Sequence, residues 1–246
     1  MSKRQARWTG DDRPPPGWMR LKEAGYLLAR LARGFGHLGP RGPEHGPPAL
    51  VIPGFIANDR TTMQLRRALA DAGWRVHAWG LGWNLGVEAG MLQRLEACID
   101  RMGATQPVLV VGWSLGGLYA RELARHCPDK VRAVVTLGSP FSGDLHQNNV
   151  WRLYEWIAGH KVDETPVERI LEKPPVPSLA IWSRRDGIVA PRTARGLDGE
   201  RDFTAQIDCA HMAFGVSAKA TRQVVREIDR FLKNLPESTE RLVSVA

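Results

Sequence analysis

The chain has 246 residues and is 43% hydrophobic, enough for one large domain with a sizeable core and too apolar for global disorder. Its formal net charge of +8 comes from 34 basic and 26 acidic residues. The basic residues are scattered, without zinc-finger spacing or an RNA-binding signature, so nucleic acid is not an expected partner.

Residues 1–48 read as a Pro/Gly-rich N-terminal extension. Its first 17 residues are polar and carry no apolar stretch of the kind a secretory signal needs. No run of about 18 apolar residues occurs, so no transmembrane helix is expected. Three cysteines at unpaired spacing, Cys98, Cys127 and Cys209, argue against a disulfide framework and for a reducing compartment, hence a cytoplasmic protein. Leu21, Ala24, Leu28, Leu31 and Phe35 recur at helical spacing, which predicts an amphipathic helix near 18–35. Its apolar stripe either packs on the domain or, flanked by Arg20, Lys22, Arg30 and Arg33, makes peripheral membrane contact.

From residue 49 the chain alternates. Short apolar runs at 49–53, 74–79, 107–112, 131–137, 177–182 and 203–208 are separated by helical patterns near 60–72, 88–102, 115–127 and 216–235. This predicts an α/β domain over 49–235: a mostly parallel sheet of about six strands with helices on both faces. Residues 141–176 are too long for a simple connection, so they read as a cap-like insertion after the fourth core strand. Residues 236–246 form a C-terminal tail.

Gly112-Trp113-Ser114-Leu115-Gly116 matches G-x-S-x-G between a predicted strand and a predicted helix. A tight strand-to-helix turn forces the serine into a strained backbone, and glycine two positions either side avoids collision. The hydroxyl is then presented at the carboxyl end of the sheet, where a helix N-terminus favours developing negative charge. Serine needs a base, itself oriented by a carboxylate. Of the histidines after Ser114, His126 falls on the following helix and points away, and His146 and His160 lie in the insertion. His211 follows the last strand directly and is the base candidate. Asp186, after the fifth strand and before Gly187, is the acid candidate; Asp208 and Asp144 are rivals. The oxyanion donors are expected at the backbone N–H of Leu115 and of Phe55, with Ile56 next after Phe55.

Trp113, Trp83, Trp151 and Trp156 are tentative walls of an apolar acyl pocket, or core packing. Asn84 in "GLGWNLG" is placed either to touch substrate or to make a turn. Cys209 is reactive if exposed and inert if buried. No metal-ligand spacing occurs, so neither a metal nor an organic cofactor is expected.

"VIPGF", "GWSLGG", "TLGSP", "SRRDGIV" and "AHM", in that order, resemble the α/β-hydrolase family over roughly residues 49–235, closest to its compact bacterial esterase and lipase-like members. Pro53 departs from the His that many members carry before this glycine. The resemblance implies a serine hydrolase with a Ser114–His211–Asp186 triad. It would cleave lipophilic carboxylic esters through an acyl-enzyme, on a small-molecule ester substrate. Acyl transfer to another acceptor and thioester cleavage use the same residues. A binding module on the same fold is the non-catalytic alternative. The sequence carries no signal for oligomeric state.

Overall fold

A computed structural model describes residues 15, 16, 19, 23, 41–143 and 170–235. The expected helix near 18–35 lies outside the described residues except for Met19 and Glu23, both in helical backbone. The middle of the insertion, with Asp144, His146, Trp151, Trp156 and His160, also lies outside them, as does the tail from 236.

Six strands form one parallel sheet: β1 (Pro48–Ile52), β2 (Arg75–Ala78), β3 (Val108–Trp113), β4 (Val131–Leu137), β5 (Ser178–Trp182) and β6 (Phe203–Gln206), in the order β2-β1-β3-β4-β5-β6. Each falls within a run where the apolar pattern predicts a strand, or within a residue of its ends. The inner strands β1, β3 and β5 are buried along their whole length, as a sheet covered on both faces requires. The edge strand β6 alternates half-buried and exposed positions.

Strand alternation divides the core into two layers. Ala49 and Val51 of β1 join Leu109, Val111 and Val135 under helices α1 (Met63–Asp71) and α6 (Ala218–Lys233). Leu50 and Ile52 join Val108, Val110 and Val134 under α2 (Met91–Arg101) and α3 (Leu115–His126). On α6, Ala220, Val224, Val225, Ile228 and Phe231 make the buried stripe, and the Ser217 side chain accepts from the Ala220 N–H at its head.

Two short helices, α4 (Pro191–Arg195) and α5 (Ala213–Val216), were not expected, because four or five residues give no readable periodicity. Two predicted helices begin later than their apolar patterns. Before α1, Asn58 binds the Arg60 N–H and the Thr61 hydroxyl in a turn; before α2, Gly90 adopts a φ of 77°.

The chain runs from β1 out to edge strand β2, then crosses back to β3 on the other side of β1. In an open parallel sheet such a reversal leaves a crevice at the carboxyl ends of the two central strands. The loops after β1 and β3 therefore flank it.

Both ends of the insertion are tied to α3. Buried Arg121 donates to the carbonyls of Leu171 (2.9 Å), Glu172 (2.9 Å) and Glu200 (2.8 Å), and lies 4.3 Å over the Phe141 ring. Arg125 pairs with Glu122 and reaches the Ile170 and Glu172 carbonyls. Arg121→Met removes these donors and strands the buried Glu200 carbonyl, so it should cost about 2 kcal/mol in urea unfolding. A variant within experimental error of wild type would show that the insertion is anchored elsewhere.

Candidate active site

Ser114 sits between β3 and α3 with φ 54° and ψ −121°, a conformation that costs a non-glycine residue and marks a functional turn. The glycines around it are packing requirements. A Cβ on Gly112 would stand 2.2 Å from the Gly116 carbonyl oxygen, and one on Gly116 would stand 2.4 Å from the Ile52 carbonyl oxygen. One on Gly117 would overlap the Ser139 hydroxyl. The Leu115 N–H opens α3 and so has no partner inside its own helix.

His211 Nδ1 and Asp186 Oδ2 lie 2.7 Å apart, both side chains almost wholly buried. The other oxygen of Asp186 accepts from the Ile188 (2.9 Å) and Val189 (2.8 Å) N–H groups. Those bonds leave Oδ2 aimed at the imidazole. Burial alone would lower the His211 pKa. The Asp186 charge and hydrogen bond, with the charge of Glu23, outweigh burial and leave it raised. Of the rivals, Asp208 is exposed and bonded to Gln206, and Asp144 lies outside the described residues. His126 pairs with Glu96 away from this site.

The corner at Leu137–Gly138 joins the two halves. The Ser114 N–H donates to the Leu137 carbonyl at 2.9 Å. Gly138, with φ 53°, would place a Cβ 2.9 Å from Asp186 Oδ2 and 3.1 Å from His211 Nδ1. Only a residue without a side chain lets this backbone pass under the pair. Ser183 ties the loop of Asp186 to the loop of His211: its hydroxyl donates to the Cys209 carbonyl (2.6 Å) and accepts from the N–H groups of Cys209 and Arg185. Neither Gly138 nor Ser183 was singled out from the sequence as a site residue. Nor was Glu23, whose carboxylate reaches the same loops.

The loop after β1 runs over Ser114. A Cβ on Gly54 would stand 3.1 Å from the Ser114 Cβ. Ile56, at φ 50°, gives its N–H to the Asn84 carbonyl at 2.7 Å, which removes it as an oxyanion donor in this conformation and leaves Phe55 as the candidate.

Of the residues with two readings, Asn84 and Trp113 are both buried. Asn84 is buried; its amide donates to the Pro53 carbonyl at 2.8 Å, and its N–H donates to the Ala57 carbonyl. It braces the loop 53–57 that follows β1. Trp113 is 2% exposed and packs behind the catalytic histidine candidate, ring centroids 5.7 Å apart. Trp83, at 53% exposure, is an open aromatic on the segment Asn84 anchors, beside exposed Leu85. Cys209 is buried, and burial pushes its thiol pKa up, so it is not a nucleophile. Among the described residues no group of His, Cys, Asp and Glu could hold a metal ion. No helix among them is long and apolar enough to cross a membrane.

A family model for the alpha/beta hydrolase fold matches residues 88–162. Two curated relatives are pimeloyl-[acyl-carrier protein] methyl ester esterases. That of Vibrio atlanticus is 34% identical over 113 residues, 44% of this chain and 42% of the relative. That of Shewanella woodyi is 29% identical over 97 residues, 38% of this chain and 36% of the relative. The chain thus matches less than half the length of either. A solved alpha/beta hydrolase enzyme, MGS-MChE2, from the metagenome of lagoon sediments at Mar Chica, Morocco, superposes with a TM-score of 0.58. It is 22% identical, over 79% of this chain and 94% of that one.

If Asn84 braces the oxyanion loop, Asn84→Ala should lower kcat on a short-chain ester about 10- to 100-fold while the protein stays folded. An unchanged kcat would show that residues 53–57 hold their shape without it.

Proposed function

We propose that this chain, an α/β-hydrolase by fold, is a serine hydrolase that cleaves carboxylic esters through an acyl-enzyme on Ser114. The observation that carries the reading is the strained Ser114 backbone at the head of α3, one corner away from the buried Asp186–His211 pair. His211 takes the hydroxyl proton as Ser114 attacks the ester carbonyl. The Leu115 and Phe55 amides receive the oxyanion, and the protonated imidazole gives its proton to the leaving alcohol. Water, activated by the same imidazole, then releases the acid and restores the serine. Asp186 holds the imidazole tautomer and balances its charge.

The two curated relatives are named for methyl ester cleavage, which supports an ester with a small alcohol group. Exposed Trp83 and Leu85, joined through Asn84 to the oxyanion loop, support a lipophilic acyl part. Every role in acyl transfer has a candidate residue, which weighs against a non-catalytic module.

A fluorophosphonate probe should add once, on Ser114, and not at all to Ser114→Ala, whose turnover should fall by about 10⁴- to 10⁶-fold. Asp186→Asn should be severely impaired and Asp208→Asn near wild type. The reverse pattern would move the acid role to Asp208.

The pH dependence has a definite sign. His211 works as a base only when neutral, and its pKa is raised in the fold. The acid limb of kcat/KM should therefore lie above the ordinary imidazole range, activity falling as pH drops through it. A limb at or below that range would mean that burial outweighs the carboxylates.

A further inference from the structure

Glu23 lies 164 positions before Gly187 and 188 before His211, yet its carboxylate accepts a backbone N–H from each. Oε1 takes those of Gly187 at 3.1 Å and His211 at 2.7 Å, and Oε2 takes that of Met212 at 2.9 Å. The side chain is buried, at 6% exposure. Met19, four residues earlier, closes the contact from above: a Cβ on Gly187 would stand 3.0 Å from the Met19 carbonyl.

A buried carboxylate is costly unless its lone pairs are filled, and three charge-assisted bonds to N–H groups fill them. The donors are not arbitrary. Gly187 directly follows Asp186, and His211 itself donates. The two loops leave neighbouring strands and share few backbone bonds, so their spacing depends on what bridges them. Besides the Asp186–His211 bond itself, Ser183 is one bridge and Glu23 is another, which comes from the N-terminal extension.

We propose that Glu23 is a positioning residue of the catalytic machinery, bridging the acid loop and the base loop so that Asp186 and His211 stand in register for Ser114. This rests on the triad reading above. Among the described residues, the charged groups that act on His211 are Asp186, from the loop after β5, and Glu23, from the extension. The Cys209 thiol on the same loop is kept neutral by burial. Glu23 pushes the His211 pKa in the same direction as Asp186, upward. It thus acts on the base by geometry and by charge.

The test uses the full chain, wild type, Glu23→Gln and Glu23→Asp, with a short-chain p-nitrophenyl ester and melting curves. Glu23→Gln keeps the size but loses the charge and one acceptor. Its kcat should fall about 10- to 100-fold with KM within about two-fold, as for a small misplacement at the reacting centre. Its acid limb should move to lower pH. Glu23→Asp keeps the charge on a shorter arm, so its kcat should fall while its limb stays nearer wild type. A folded Glu23→Gln with the wild-type kcat and limb overturns the inference. So does one that melts earlier but is otherwise unchanged, since Glu23 would then be only a structural tie. Should Glu23→Gln not fold, amide exchange in wild type decides. Protected Gly187, His211 and Met212 amides support the bridge, and exchange at open-loop rates overturns it. A wild type that is inactive and unlabelled at Ser114 removes the triad reading and this inference together. An active, labelled wild type beside an unaffected Glu23→Gln removes only the latter.

Discussion

The hydrogen bond between Asp186 and His211 is the interaction around which the rest of the site is arranged. Two ionisable side chains are held almost without solvent, which is tolerable only with good geometry and with the other carboxylate oxygen satisfied. Asp186 spends one oxygen on two N–H groups of its own loop and has the other left for the imidazole. Against the imidazole ring the fold sets bulk: Trp113 and Phe214 stand beside it, with centroids 5.7 and 6.4 Å away. Water is thereby kept off the bond, which strengthens it and pre-sets the base.

Glycine is the means by which the loops after β1, β3 and β4 pass one another around Ser114 and beneath this bond. Gly54, Gly112, Gly116 and Gly138 each lie where a Cβ would strike backbone or a site residue. The parallel sheet delivers the carboxyl ends of β1, β3, β4 and β5 to one rim. The strands are about 4.8 Å apart, so loops leaving adjacent strands compete for the same space. Removing side chains at the crossing points resolves that competition. It also explains why the nucleophile turn and the corner after β4 both need positive φ: each chain must reverse within one residue to clear the other.

Much of this was legible in the sequence because it follows from local rules. A strand buried on both faces must read as a continuous apolar run, and "VLVVGW" and "SLAIW" do. The strained serine announces itself through its flanking glycines. Asp186 and His211 are identifiable by their place after successive strands, and the structure brings their side chains together. What the sequence left open was whatever depends on direction rather than order. Asn84 was expected to face either substrate or a turn; its side-chain oxygen accepts from the Gly86 N–H in a local turn, but nothing local says that its amide reaches Pro53, 31 residues earlier. Trp113 adjoins the nucleophile in sequence, but neighbours in a strand point to opposite sides, and the indole went into the core behind His211.

Glu23 shows the same limit most sharply. In a helical pattern with Leu21, Ala24 and Leu28 on its apolar stripe, a single glutamate among arginines and lysines looks like one more solvated charge. Burial gives it a different meaning. A surface glutamate gains little from a partner, since water serves it nearly as well. A glutamate at 6% exposure has no such substitute, so its three N–H donors are a condition for its being there. The constraint runs both ways: the donors belong to the acid and base loops, whose own buried amides need acceptors. An extension that precedes the sheet in sequence therefore completes the hydrogen bonding of the two loops that the sheet alone leaves open.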